Sequence, residues 1–119
     1  MQNLQQHLKD ADRDMAALII KISALAEPIR NEFALRRGKA DTKNVFGEEQ
    51  LVLDKWANQF LKEKLKNTRM VKMLGSEEES DIIKLKDGAV FSVTIDPLDG
   101  SSNIESNNLV GTILGIYRD

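Results

Sequence analysis

The feature that most limits the fold of this chain is a change of pattern after Leu65. Before it, apolar residues recur at helical spacing. After it come short runs rich in Val, Ile and Phe, separated by Gly, Asp and Ser. Leu18, Ile19, Ile22, Leu25, Ile29 and Phe33 are spaced by one, three and four, the spacing of an amphipathic helix. Pro28 interrupts them and predicts a kink or restart. Residues 36–44 (RRGKADTKN) read as a loop around Gly38. A second helix is expected from about Glu48 to Leu65, burying Leu53, Trp56, Ala57, Phe60 and Leu65. Asp54 and Asn58 share one face of it, and from this helix alone Asp54 reads as a surface carboxylate.

In the second half, Met70–Leu74 and Ile82–Leu85 suggest short strands. Lys86-Asp87-Gly88 suggests a hairpin turn, and Ala89–Ile95 a third strand. Leu109–Tyr117 reads as a buried strand punctuated by Gly111 and Gly115. The expected fold class is therefore α/β, a layered α+β arrangement with two N-terminal helices packed on a β-sheet.

The 119 residues match the size of one domain, and 41% apolar content allows a real core. Seventeen basic against nineteen acidic side chains leave a net charge of −2, which gives no electrostatic footprint for nucleic acid. The absence of cysteine excludes disulfides, thiolate metal sites and thiol nucleophiles. His7, the single imidazole, reads as a surface residue. No apolar run reaches membrane-spanning length, and the polar N-terminus lacks the apolar region of a signal peptide. A soluble cytoplasmic protein without membrane or nucleic-acid partners is the expectation.

The chemistry concentrates in Asp96-Pro97-Leu98-Asp99-Gly100-Ser101-Ser102-Asn103. Pro97 biases Asp96 toward an extended backbone, and a tight turn can aim Asp96 and Asp99 at one point. Gly100 permits close approach of the backbone to a ligand. Ser101, Ser102 and Asn103 are plausible helix caps, and the N–H groups opening a helix cradle phosphate. Carboxylates beside such a cradle would repel the phosphate unless a hard cation such as Mg²⁺ lay between them. A second acidic segment, Ser76-Glu77-Glu78-Glu79, follows the first strand, and neighbouring strands could bring Glu77 beside Asp96 and Asp99. Taken alone, it reads as a solvated turn. Asp-Pro-Leu-Asp-Gly, likewise, could be no more than a turn. A calcium loop of the EF-hand type is excluded. Counting from Asp96, its third, fifth, sixth and twelfth positions are Leu98, Gly100, Ser101 and Asn107.

The string from Asp96 to Ile104 resembles the signature of the class 1 fructose-1,6-bisphosphatases. These belong with the inositol monophosphatases to a superfamily of Mg²⁺-dependent, lithium-sensitive phosphatases. Leu98, Ser101 and Ser102 favour the sugar-bisphosphatase branch over the inositol branch, which typically carries Ile and Thr there. The resemblance continues through Gly111–Arg118, Leu74–Glu78 and Asn44–Asn58, and so spans most of the chain. It implies the N-terminal portion of the sugar-phosphatase fold over residues 1–119, with the sugar-contacting residues and one further carboxylate ligand beyond Asp119. On that reading the chain is a truncated portion with poor activity of its own.

The resemblance also implies roles. Glu77, Asp96, the Leu98 carbonyl and Asp99 are similar to the metal ligands, and Asp99, Gly100, Ser101 and Ser102 to the phosphate-binding segment. Glu78 and Asp54 are similar to the pair that activates the attacking water. Glu48 stands where relatives often carry a shorter acid near an additional metal. The implied reaction is hydrolysis of the 1-phosphate of fructose 1,6-bisphosphate to fructose 6-phosphate, a step of gluconeogenesis. Two or more Mg²⁺ ions would assist it, with Mn²⁺ or Zn²⁺ as substitutes, in a full-length homo-oligomer. Vertebrate-type members bind AMP partly through a Lys-Tyr pair. Here those positions are Val90 and Phe91, so AMP inhibition is not expected although Arg118 fits that site. The alternatives are an inositol-phosphate or broad sugar-phosphate phosphatase, and a non-catalytic metal- or phosphate-binding fragment.

Overall fold

The computed structural model describes residues 1–39, 43–100 and 111–118, with the backbone alone for 36–39 and 43–51. Among these, four helices precede four strands: α1 (Leu4–His7), α2 (Arg13–Ser23), α3 (Ala26–Lys39), α4 (Lys43–Thr68), β1 (Val71–Ser76), β2 (Ile83–Lys84), β3 (Phe91–Asp99) and β4 (Gly111–Arg118). The helix-then-strand order agrees with the sequence pattern, and the mixed sheet under helices is an α/β fold.

The helical half differs in detail from expectation. Pro28 does mark a restart, because α2 stops at Ser23 and α3 opens at Ala26. Proline in a first helical turn removes an N–H that has no intrahelical partner there. Residues 36–39, expected in a loop, are helical, and α4 begins at Lys43 rather than Glu48. A single glycine costs a helix only about 1 kcal/mol, so Gly38 between good helix formers does not stop one. At the other end α4 passes Leu65 and stops after Thr68. The Thr68 hydroxyl donates to the Leu65 carbonyl at 2.7 Å and accepts the Met70 N–H at 3.1 Å, while Arg69 takes φ +60°. Asp12 caps α2, its carboxylate accepting the Met15 N–H at 2.9 Å.

The strand order is β2-β1-β3-β4. β1 pairs antiparallel with β2 and parallel with β3, and β3 pairs antiparallel with β4. The Lys86–Gly88 segment does turn, with Gly88 at φ +83°, but it joins strands that do not pair, since β1 lies between them. The hairpin reading is thus corrected. A short strand at 82–85 also shrinks to Ile83–Lys84, leaving Ile82 68% exposed.

The main core lies between helices and sheet: Leu18 of α2, Leu61 and Leu65 of α4, Val71 and Leu74 of β1, and Phe91, Val93 and Ile95 of β3. Phe91, Val93 and Ile95 alternate as a strand requires. Val71 and Leu74 are three apart, yet both are buried, because a register irregularity between Val71 and Met73 resets the alternation. The last strand is not the buried strand expected. β4 is the sheet edge among the described residues, with Ile113 and Tyr117 each 55% exposed. Leu109 lies outside the described residues.

Candidate metal and phosphate site

Parallel pairing of β1 with β3 brings the two acidic segments together. The ladder aligns Ser76 with Ile95, and the Glu77 N–H donates to the Ile95 carbonyl at 3.1 Å. Glu77 therefore leaves β1 beside Asp96 on β3.

The signature segment is strand where the sequence suggested a turn. β3 continues through Asp99, and only at Gly100, with φ +76°, does the chain leave the sheet. That dihedral suits glycine because it has no Cβ to clash. A second irregularity, between Asp96 and Asp99, changes which side chains face inward. Pro97 and Leu98 are both buried, while Asp96 and Asp99 come within hydrogen-bonding contact although they are three residues apart. Bulged strands re-aim side chains in this way at sheet ends. The Thr112 hydroxyl of β4 donates to the Pro97 carbonyl at 2.8 Å and ties down the irregular stretch.

The environment of Asp96 shows the consequence. Burial first, then a hydrogen bond that protonated Asp96 donates to Glu77, and the charge of Glu77, raise its pKa above the ordinary value, against hydrogen bonds from Asp99 and the Leu98 N–H, which lower it. Two carboxyls joined by a hydrogen bond must share a proton, a cost that a cation between them removes. Glu77, Asp96 and Asp99 offer oxygen donors alone, the chemistry of a hard divalent ion rather than a thiophilic one. Among the described residues no three acidic side chains are set to hold an ion as they stand. The contacts run pairwise, through Asp96.

Helix α4 supports this region from one side. Leu98 inserts its side chain against Leu53 and Ala57, with Phe33 and Trp56 packed around it. Asp54 lies on the same helix, next to Leu53 in sequence. It is half-buried. One turn on, Asn58 spans the second acidic segment. Its Nδ2 donates to Glu79 Oε1 at 3.0 Å, and its Oδ1 accepts the Ser76 hydroxyl at 2.5 Å. Lys62, a further turn along, donates to the same Glu79 oxygen at 3.1 Å. Lys62 first, and Asn58 second, lower the Glu79 pKa. The backbone N–H of Glu78 donates to the Ser76 hydroxyl at 3.2 Å.

The fold thus brings Asp96 into contact with Glu77 on one side and Asp99 on the other, with Asp54 half-buried on α4 and Glu78 exposed on the turn after β1. Gly100 is described; Ser101, Ser102 and Asn103 lie outside the described residues, as does the side chain of Glu48. Sequence reasoning missed Asn58, Lys62 and Glu79 as a group. The signal available was their helical spacing, with Asp54, Asn58 and Lys62 four apart.

The family description "Fructose-1-6-bisphosphatase, N-terminal domain" matches residues 2–119. The chain is similar to the class 1 fructose-1,6-bisphosphatase of Methanocorpusculum labreanum, at 40% identity over 120 residues, and to that of Shewanella amazonensis, at 42% over 125 residues. These alignments cover 99% and 98% of this chain, and 38% of each relative's length. Among solved structures it is similar to the Leishmania major fructose-1,6-bisphosphatase in holo form. That match has a TM-score of 0.79 and 33% identity, covering 99% of this chain and 38% of that one. A putative sedoheptulose-1,7 bisphosphatase from Toxoplasma gondii matches with a TM-score of 0.71 and 28% identity, over 100% of this chain and 36% of that one. A family match across nearly the whole chain, with the same fold in solved relatives, means that this chain belongs to the fructose-1,6-bisphosphatase family.

Proposed function

We propose that the protein hydrolyses the 1-phosphate of fructose 1,6-bisphosphate, giving fructose 6-phosphate and phosphate, with Mg²⁺ as the cofactor. The observation that carries this reading is the meeting of Glu77 with Asp96 at the end of a parallel strand pair, in a chain of this family. Because the chain spans 38% of its relatives' length, the reading concerns the protein together with the elements those relatives carry beyond this portion.

Glu77, Asp96, Asp99 and the Leu98 carbonyl would hold the metal ions. Bound Mg²⁺ supplies charge neutralisation at the phosphoryl oxygens, a more acidic water and stabilisation of the leaving alkoxide. Asp99, Gly100, Ser101 and Ser102 hold the transferred phosphate, largely through backbone N–H groups and hydroxyls. Glu78 and Asp54 accept and relay the proton of the attacking water, a general-base role. The protein needs no covalent nucleophile, since positioning and electrostatics carry phosphoryl transfer. A cytoplasmic site of action, a place in gluconeogenesis and a homo-oligomeric full-length form belong to the same reading. So do substitution of Mg²⁺ by Mn²⁺ or Zn²⁺ and independence from nucleic acid and membranes. Among the described residues, no helix is long and apolar enough to cross a membrane.

The test is phosphate release by the full-length protein from fructose 1,6-bisphosphate, with and without Mg²⁺, beside inositol monophosphate and sedoheptulose 1,7-bisphosphate. Mg²⁺-dependent release that favours the fructose ester supports the reading. Preference for inositol monophosphate, or release indifferent to metal, would overturn it.

A further inference from the structure

Among the described residues, Asn58 is the polar residue that the fold buries, at 8% exposure. A buried amide must have its hydrogen bonds met, and this one spends them on a single loop. Its donor end faces the Glu79 carboxylate and its acceptor end the Ser76 hydroxyl. Both partners are distant in sequence, 21 and 18 residues away. The orientation follows from chemistry: a carboxylate can only accept, so the amide nitrogen must face Glu79.

The loop so gripped is the one that carries Glu77 and Glu78. The Ser76 hydroxyl passes the constraint on by accepting the Glu78 N–H, and the Ser76 carbonyl accepts the Glu79 N–H at 3.1 Å. On the other side the Glu77 N–H is held by Ile95 of β3. Glu77 and Glu78 have exposed side chains, so packing does not hold them. Apart from the contact of Glu77 with Asp96, these backbone bonds fix where the turn sits.

We infer that Asn58 is a positioning residue: from helix α4 it locks the Ser76–Glu79 turn so that Glu77 and Glu78 face Asp96 in a geometry competent for metal binding. The inference rests on the metal role proposed above for Glu77. It gives a function to a helix residue that itself touches neither metal nor substrate. Asparagine is required at 58 because the site needs a donor and an acceptor on one short side chain. Aspartate has the same shape and still accepts from Ser76, yet it sets a carboxylate against Glu79.

The experiment measures Mn²⁺ binding by electron paramagnetic resonance and amide hydrogen exchange in the metal-free protein. Asn58→Asp is expected to weaken Mn²⁺ binding by roughly 10–100-fold, the usual cost of losing a partner that orients a ligand. It is also expected to speed exchange at the Glu78 and Glu79 amides, leaving the β3–β4 ladder unchanged. The double variant Asn58→Asp with Glu79→Gln restores a complementary pair, with the amide now on the loop, and is expected to recover most of the affinity and protection. A merely structural loss would not be repaired by moving the amide across the contact.

Wild-type affinity and exchange in Asn58→Asp, or a loss that Glu79→Gln fails to repair, overturns the inference. If the unaltered protein takes up no Mn²⁺, the metal reading fails separately, and exchange at Glu78 and Glu79 still decides the role of Asn58. Should Asn58→Asp not fold, Ser76→Ala removes the same link from the loop side. Unchanged exchange at Glu78 in that variant counts against the inference.

Discussion

The backbone N–H of Glu77 and the carbonyl of Ile95 lie 3.1 Å apart, and this bond carries the parallel ladder of β1 and β3 one residue beyond Ser76. It makes Glu77 and Asp96 neighbours across a strand pair, although 19 positions separate them in sequence. Burial and the nearby Glu77 then raise the Asp96 pKa, as expected of acids gathered without a counter-charge.

Asp96 stands between Glu77 and Asp99, so its replacement should be the most damaging in the site. Asp96→Asn is expected to abolish Mg²⁺-dependent turnover in the full-length protein and to weaken metal binding beyond the roughly 10–100-fold typical of an outer-shell partner. The fold should persist, because Asn is isosteric and removes a disfavoured charge. Calorimetry of Mn²⁺ binding, with circular dichroism as the control, checks this. Normal metal affinity would show the site to be misplaced.

Glu78 should reveal itself in kcat. A carboxylate that takes a proton in the transition state contributes typically about 10²–10⁴-fold. Glu78→Gln is expected to lower kcat by that order while changing KM much less, the mark of an interaction made mainly in the transition state. Steady-state kinetics on fructose 1,6-bisphosphate decide it. An unchanged kcat returns Glu78 and Asp54 to the solvated surface.

Leu98 is 7% exposed and packs on Leu53 and Ala57. Leu98→Ala should cost about 2–5 kcal/mol of stability, the range for emptying a buried leucine site. It should also loosen metal binding, since Leu98 anchors on α4 the stretch of β3 that runs from Asp96 to Asp99. Urea unfolding and Mn²⁺ titration measure the two effects. Stability loss without weaker metal binding would separate the packing from the site.

Arg118 of β4 donates to the Asp12 carboxylate at 2.5 Å, across 106 residues, and its guanidinium lies 4.8 Å from the centre of the Phe91 ring. The Met15 N–H, more than Arg118, lowers the Asp12 pKa below its ordinary 3.8, with desolvation opposing. The unfolded chain then binds the proton more readily than the folded one. The Asp12 contribution is present above pH 3.8 and is lost as pH falls through the lower folded value. Asp12→Asn keeps a good helix cap but loses the charge. Its small stability deficit at neutral pH should close in acid and shrink in salt, as measured by thermal unfolding across pH. A deficit constant from neutrality to below pH 3.8 would refute the ion-pair account.

Among the described residues, Ile113 and Tyr117 leave apolar surface open along the edge strand β4. The 119-residue chain by itself is therefore expected to self-associate and to show little turnover, since it spans 38% of its relatives' length and remote contacts help position a substrate. Light scattering and an activity assay on the purified chain test this. Rapid Mg²⁺-dependent hydrolysis by a monomer of that length would contradict it.

The sequence by itself determined the kinds of element and the chemistry at hand. Helical spacing from Leu18 to Phe33 and from Leu53 to Leu65 was legible because helix periodicity is local. So was the oxygen-only donor set, since composition settles which ligands exist. The Asp96–Ile104 string by itself indicated the family. Strand order was not legible. Lys86-Asp87-Gly88 has the residues of a hairpin turn, but which strands pair is decided by long-range burial, and β1 came to lie between β2 and β3. Nor did spacing reveal that β3 runs on to Asp99 with a register irregularity, since the strand is stabilised by β4 and by Leu98 burying itself on α4. Asn58 showed its helical spacing from Asp54 and Lys62 but nothing of the turn it bonds. Its two partners lie 18 and 21 residues away, and only the packing of α4 beside the end of β1 brings them within hydrogen-bonding distance.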